Sequence, residues 1–134
     1  MATEPKTLLI VDDDRSLVDA LTLYLDGFGY LIHKAYNGSA GERKARHKQP
    51  DVIILDIMLP DKDGYEVCQR LKRHRRTKHI PIVMLSAKSS VPDIDKGFRA
   101  LADAYVTKPF DPARLHAKIK KLLNAEDEEE KKES

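Results

Sequence analysis

Short apolar runs alternate along the chain with longer stretches in which apolar residues recur every three or four positions. The runs are Leu8–Val11, Val52–Leu55, Ile80–Leu85 and a weaker Tyr105–Val106, and a mixed fifth, Leu31–Ala35, is interrupted by His33 and Lys34. Short runs rich in Val, Ile and Leu have the length and composition of strands. Between them, Leu17, Leu21, Tyr24, Leu25 and Phe28 repeat at helical spacing, and Gly27 and Gly29 supply the stop. Ser39 with Glu42, and Asp63 with Glu66, have the spacing of a capping box at a helix start. Asp111 followed by Pro112 reads as an N-cap and first-turn proline, with Leu115, Ile119 and Leu122 forming one apolar stripe. The stretch 89–101 is the weakest helix, with Pro92 near its start and Gly97 inside it. A helical glycine costs about 1 kcal/mol relative to alanine, so this fourth helix is expected to be short and mobile.

Strands alternating with helices predict an α/β, doubly wound, five-stranded parallel sheet with helices on both faces. Central strands of such sheets read as continuous apolar runs and edge strands tolerate polar residues. That makes 8–11, 52–55 and 80–85 central and 31–35 and 104–107 edges, which fits the strand order 2-1-3-4-5. Its switch point lies between strands 1 and 3, and ligands bind there beyond the carboxyl ends of the strands. Asp12, Asp13 and Asp56 are expected to meet at that point.

Length and charge narrow the picture. A chain of 134 residues forms one ordinary domain, and 41% hydrophobic with 34% charged residues is the composition of a globular protein, not a disordered one. The single cysteine, Cys68, excludes an internal disulfide and a cysteine-built zinc site, and reads as a small core residue. No apolar run approaches the ~20 residues that span a bilayer, and Leu8–Val11 is too short for a signal-peptide core, so no membrane contact and a cytoplasmic setting are expected. The net charge of +2 conceals an asymmetry: residues 126–134 carry −4 and residues 1–125 carry +6. The expected organisation is therefore a domain over 1–124 and, over 125–134, an acidic, frayed or disordered tail or the start of a linker.

Three carboxylates gathered at one sheet edge are expensive, because two unit charges 4 Å apart repel by about 4 kcal/mol at an effective dielectric of 20. A fold collects them only where some stay protonated or a cation sits among them, and oxygen ligands without a soft donor favour Mg²⁺. Lys108, after strand 5, and Ser86, at the end of strand 4, add an ammonium and a hydroxyl to the same face. Magnesium, lysine and hydroxyl around a carboxylate make a phosphoryl-transfer site with the carboxylate as nucleophile. The plainer reading of Asp12–Asp14 is a turn and helix N-cap, a role open to Asp14 or Ser16. The joint occurrence of these groups at successive strand ends outweighs it.

The segments LLIVDDD at 8–14, DVIILDIMLPDKDGYEV at 51–67, IPIVMLSA at 80–87 and DAYVTKPF at 103–110, with the spacing from Asp56 to Pro60 and Gly64, resemble a two-component response regulator receiver domain. The resemblance covers nearly all of Lys6–Leu123 and implies the flavodoxin-like sheet of CheY-like proteins. It implies that Asp56 is the phosphoacceptor, supplied by a histidine kinase or phosphotransfer protein, and that Asp12 and Asp13 bind Mg²⁺, Asp13 directly and Asp12 largely through water. Met58 would lend its backbone carbonyl to the metal, Ser86 would hold the phosphoryl group, and Lys108 would pair with a phosphoryl oxygen before a cis bond to Pro109. Tyr105 matches the aromatic switch residue, so an output partner is expected at the face of helix 4, strand 5 and helix 5, with a phosphorylation-dependent homodimer as one form of output. Such a domain promotes only its own phosphorylation and dephosphorylation and is no enzyme toward external substrates. Leu101 departs from the glycine usual before the Ala-Asp that opens strand 5, which places the geometry of helix 4 in question.

Two rivals remain. A magnesium phosphohydrolase with an aspartyl nucleophile would carry a second aspartate two residues on, where this chain has Met58. A pseudo-receiver binding partners without phosphorylation would not need the full set of Asp12, Asp13, Asp56, Ser86 and Lys108. The basic stretch RLKRHRRTKH at 70–79 lacks interleaved aromatics and reads as solvated charge able to meet an acidic partner, so no direct DNA binding by this chain is expected. The five histidines lack metal-ligand spacing: His33 is expected near an edge strand, and His47, His74, His79 and His116 are expected to be exposed.

Overall fold

The computed structural model of the chain describes residues 4–87 and 102–133, the last of these (126–133) by backbone alone. Five strands, β1 (Thr7–Val11), β2 (Leu31–Ala35), β3 (Val52–Asp56), β4 (Ile82–Ser86) and β5 (Ala104–Thr107), form one sheet in the order β2-β1-β3-β4-β5. Every pairing is parallel, with Val11 beside Leu55 and Asp56 beside Leu85. Helices α1 (Arg15–Asp26), α2 (Gly38–Lys48) and α3 (Gly64–Arg73), and a C-terminal helix (Pro112–Glu133), connect or follow the strands. The expected helix over 89–101, and Leu101 with it, lies outside the described residues.

Alternate strand positions point to opposite faces, and each face has its own core. Leu9, Val11, Ile53, Leu55 and Met84 pack with Ala45 of α2 and Val67, Cys68 and Leu71 of α3. Leu8, Ile10, Ile54, Val83 and Leu85 pack with Val18, Leu21 and Leu25 of α1 and with Leu115, Ile119 and Leu123 of the C-terminal helix. β3 and β4 are buried along their whole length and β2 is mostly half-exposed, as the composition of each run predicts.

Several local expectations are corrected. β4 begins at Ile82, not Ile80, because Pro81 has no N–H to give the ladder, although its carbonyl accepts from Ile53 N at 3.0 Å. Ser39 does not cap α2. Asn37 does, accepting from Ala40 N at 2.8 Å, while Glu42 turns to ion pairs instead. His116 is not exposed: it is 7% accessible, its Nε2 lies 2.8 Å from the Tyr30 hydroxyl, and Tyr24 and Phe28 flank its ring. The C-terminal helix has helical backbone to Glu133, in line with the high helix propensity of Ala, Glu and Lys. Asp63 caps α3 as expected, accepting from Tyr65 N at 2.8 Å, and Asp14 caps α1 through Leu17 N at 3.1 Å. Among the described residues no helix is long and apolar enough to cross a membrane.

Candidate functional site

The carboxyl ends of β1, β3, β4 and β5 deliver the chemistry to one edge of the sheet. β1 ends at Val11, so Asp12 and Asp13 follow at its tip; Asp56 is the last residue of β3 and Ser86 the last of β4. Lys108 follows β5, and its backbone N–H donates to the Ser86 carbonyl, which ties the lysine to the end of β4. The Lys108–Pro109 bond is cis. These are the ends flanking the switch point, where β1 sits between β2 and β3.

Carboxylate oxygens of Asp12, Asp13 and Asp56 lie within 4.8 Å of one another. Asp12 and Asp56 are buried, at 1% and 5% exposure, and Asp13 is exposed, so the cluster opens to solvent on the Asp13 side. Lys108 Nζ sits 2.8 Å from Asp12 Oδ2 and 3.4 Å from Asp56 Oδ1, so it leans toward Asp12. Asp12 Oδ1 accepts from Asp14 N at 2.9 Å, which occupies the second oxygen of that carboxylate. Burial, then the Asp12 charge, push the Asp56 carboxyl up to about 6, against the opposing pull of Lys108 and the Met58 N–H. Burial works against the Lys108 ammonium, but the hydrogen bond to Asp12 and the Asp56 charge outweigh it and raise its pKa above the ordinary lysine value.

Three carboxylates against one ammonium leave the cluster negative. All of its donors are hard oxygens, and a face open at Asp13 leaves room for water ligands, so the residues fit a small divalent cation. Gly64 sets the back wall. A Cβ there would fall 2.3 Å from the Asp56 carbonyl oxygen and 2.6 Å from Ile57 Cα, so the loop after β3 can fold this close only against a glycine.

A family model described as the response regulator receiver domain matches residues 8–120. The chain belongs to the response regulator receiver domain family. The DNA-binding dual master transcriptional regulator RpaA of Synechocystis is 43% identical over 120 residues, 90% of this chain and 50% of that protein. The alkaline phosphatase synthesis transcriptional regulatory protein PhoP of Bacillus subtilis is 41% identical over 118 residues, 88% of this chain and 48% of that protein. This receiver domain therefore spans about half the length of the curated relatives it matches. A response regulator of Chloroflexus aurantiacus superposes with a TM-score of 0.85 at 40% identity, covering 90% of this chain and 98% of that one. A CheY-like receiver domain protein of Methanospirillum hungatei gives 0.87 at 30% identity, covering 93% and 98%. The chain is thus a receiver domain of the two-component type, a signalling module.

Ser86, Tyr105 and Met58 occupy three different settings. Ser86 is 2% exposed. Tyr105, half-buried on β5, packs against the α2–α3 core and lines a surface cavity with Asp103, Thr107, Lys118, Lys121 and Leu122. Met58 is 63% exposed, with its N–H on the Asp56 carboxylate. Lys72, read from sequence as solvated charge, is in fact folded inward, 2.8 Å from Asp103 Oδ2 and 2.7 Å from the Ile80 carbonyl. Asp61, Lys62 and the buried Glu42 form a second polar group, joining the loop after β3 to α2, that sequence reasoning missed. Its sign was available in the sequence, since Glu42 stands at a position the α2 repeat buries between Gly41 and Ala45.

Proposed function

We propose that Asp56 accepts a phosphoryl group from a partner phosphohistidine and that this receiver domain signals through the surface around Tyr105. The observation that carries the reading is the Asp56 carboxylate at the end of β3, 3.4 Å from Lys108 and clustered with Asp12 and Asp13. Asp12, Asp13, Asp56 and the Met58 carbonyl would hold Mg²⁺, which neutralises phosphoryl charge in an already negative pocket.

An Asp56 oxygen attacks phosphorus, the bond from phosphorus to the donor nitrogen breaks, and the imidazole leaves. Because its pKa lies near 6, Asp56 is largely ionised at neutral pH and available as a nucleophile. Lys108, held by Asp12 at rest, swings its ammonium to a phosphoryl oxygen, a move of short reach because it already touches both carboxylates. The Ser86 hydroxyl donates to another phosphoryl oxygen by turning inward, and the Tyr105 ring follows into the space this frees. Moving a two-state population from 1:99 to 99:1 takes about 5.5 kcal/mol, more than one hydroxyl bond supplies and within reach of hydroxyl, lysine and metal-held phosphate together. The cavity beside Tyr105, with Lys118 and Lys121 on the C-terminal helix, is then the surface an output partner reads.

Beryllofluoride with Mg²⁺, a mimic of the acyl phosphate, tests this directly. The Tyr105 ring resonances are expected to shift in wild type and to stay in place in Asp56→Asn. Unchanged resonances in wild type would instead support a pseudo-receiver that binds partners without phosphorylation.

A further inference from the structure

The loop that leaves β3 carries Met58 at its neck and Asp61 and Lys62 at its tip. The neck is closed by the antiparallel bridge between Met58 and Asp63, by Gly64 N donating to the Ile57 carbonyl at 2.7 Å, and by the Met58 N–H on the Asp56 carboxylate. Ile57 and Leu59 on either side pack on the core, but Met58 between them is largely in solvent, so no side-chain packing holds residue 58 itself. The tip is fastened to another element. Asp61 accepts from the first two amides of α2, Gly38 N at 2.6 Å and Ser39 N at 2.9 Å, one on each carboxylate oxygen. One turn along α2, Glu42 takes the Lys62 ammonium at 2.8 Å on Oε2 and faces Arg70 Nε of α3 at 2.9 Å on Oε1.

Exposed ion pairs are worth little on their own. These contacts are of another kind. Glu42 is 5% exposed, so its pairing with Lys62 is partly shielded from water. Asp61 meets orphan amides at a helix N-terminus, where the backbone dipole favours negative charge, and the Ser39 and Gly38 amides hold its carboxyl below the usual carboxylate range. The fit is close on the α2 side as well. A Cβ on Gly38 would lie 3.0 Å from Val67 Cγ2, 3.2 Å from Asp61 Oδ1 and 3.2 Å from Lys62 Cβ.

We infer that Asp61 and Lys62 latch the loop after Asp56 onto α2, and that Asp61 is a positioning residue which, through this latch, sets the Met58 carbonyl for the divalent cation. The inference rests on the reading of Asp56 as a magnesium-assisted phosphoacceptor. Metal sites need their ligands held to within about 0.5 Å, and a carbonyl on a loop reaches that only if the loop is anchored. Helix capping as the sole role of Asp61 would predict a different outcome: lower stability with cation affinity unchanged.

The test uses the full chain as wild type, Asp61→Asn and Gly38→Ala, the second acting on the latch from the α2 side without removing a polar group. Calorimetry measures Mg²⁺ binding with no phosphodonor present, and amide hydrogen exchange follows residues 57–64 without metal. Both variants are expected to bind Mg²⁺ about tenfold more weakly, the size of effect typical of groups that orient metal ligands. Exchange over 57–64 is expected to quicken while β1 and β3 amides keep wild-type protection. Phosphorylation by a small phosphodonor is expected to slow at limiting Mg²⁺ and to recover at saturating Mg²⁺, a rescue that a merely damaged fold would not show. Wild-type Mg²⁺ affinity in either variant with intact strand protection overturns the latch, as does a rate loss that excess Mg²⁺ leaves in place. Wild-type protein that neither binds Mg²⁺ nor takes a phosphoryl group overturns the function reading itself.

Discussion

Asp56 is held in a form that costs stability, and the sign of that cost is testable. Burial pushes its carboxyl up to about 6 in the fold from an ordinary 3.8, so between those values the folded state binds a proton the unfolded state has released. Stability from this group is therefore highest below pH ~4 and is lost as pH rises through 6. Asp56→Asn removes the buried charge and is expected to raise the unfolding free energy at pH 7.5 without Mg²⁺ by about 2 kcal/mol, after discounting for solvent screening. Denaturant titration checks it, and a variant less stable than wild type would contradict it. At this scale the sequence named Asp12, Asp13, Asp56, Ser86 and Lys108, because strand ends and residue type suffice to nominate a carboxylate, a hydroxyl or a lysine. It did not show that Lys108 rests on Asp12, a choice set by side-chain geometry across 96 positions of chain. Nor did it find Glu42, whose spacing from Ser39 suggested a cap that Asn37 supplies two residues earlier.

Elements carry two further consequences. α3 starts where Gly64 lets the loop pass within contact of the Asp56 backbone, so Gly64→Ala must push β3 and α3 apart at the site. The expected result is a loss of about 2 kcal/mol or more in unfolding free energy together with weakened Mg²⁺ binding, read by denaturant titration and calorimetry. Near-wild-type values for both would mean the loop has room to yield. On the opposite face, the C-terminal helix is pinned by His116 against Tyr30 and Phe28. Burial, then the Lys120 charge, lower the His116 pKa, so below its ordinary value of 6.5 the unfolded chain takes a proton the fold resists. Stability from this group is present above pH ~6.5 and falls as pH drops, opposite in sign to Asp56. Wild type is expected to lose more stability than His116→Phe between pH 7.5 and 5.5; an equal loss would show that His116 stays protonatable in the fold. The sequence missed this pin because the apolar stripe of that helix is defined by Leu115, Ile119 and Leu122, and a histidine beside a stripe reads as its polar flank.

At the scale of the molecule, the two-faced sheet and its strand order were readable because burial writes itself into composition. β3 and β4 are buried end to end and consist of Val, Ile, Leu and Met up to their terminal Asp56 and Ser86, while β2 at the edge carries His33 and Lys34. Topology then dictates which strand ends converge, and so locates the acidic cluster without side-chain coordinates. What stayed hidden were contacts between elements distant in sequence: Lys72 on Asp103, Asp61 on the start of α2, Tyr30 on His116. Each depends on how two helices or loops pack, and that is settled by the whole core at once. Phosphoryl transfer to Asp56 is the central proposal for the assembled site, and intact-mass spectrometry after incubation with a small phosphodonor tests it. Wild type is expected to gain a single phosphoryl adduct only with Mg²⁺ present, and Asp56→Asn to gain none. An Asp56→Asn protein that takes the adduct as wild type does, or wild type that takes none under any condition, would contradict the assignment of Asp56 as phosphoacceptor.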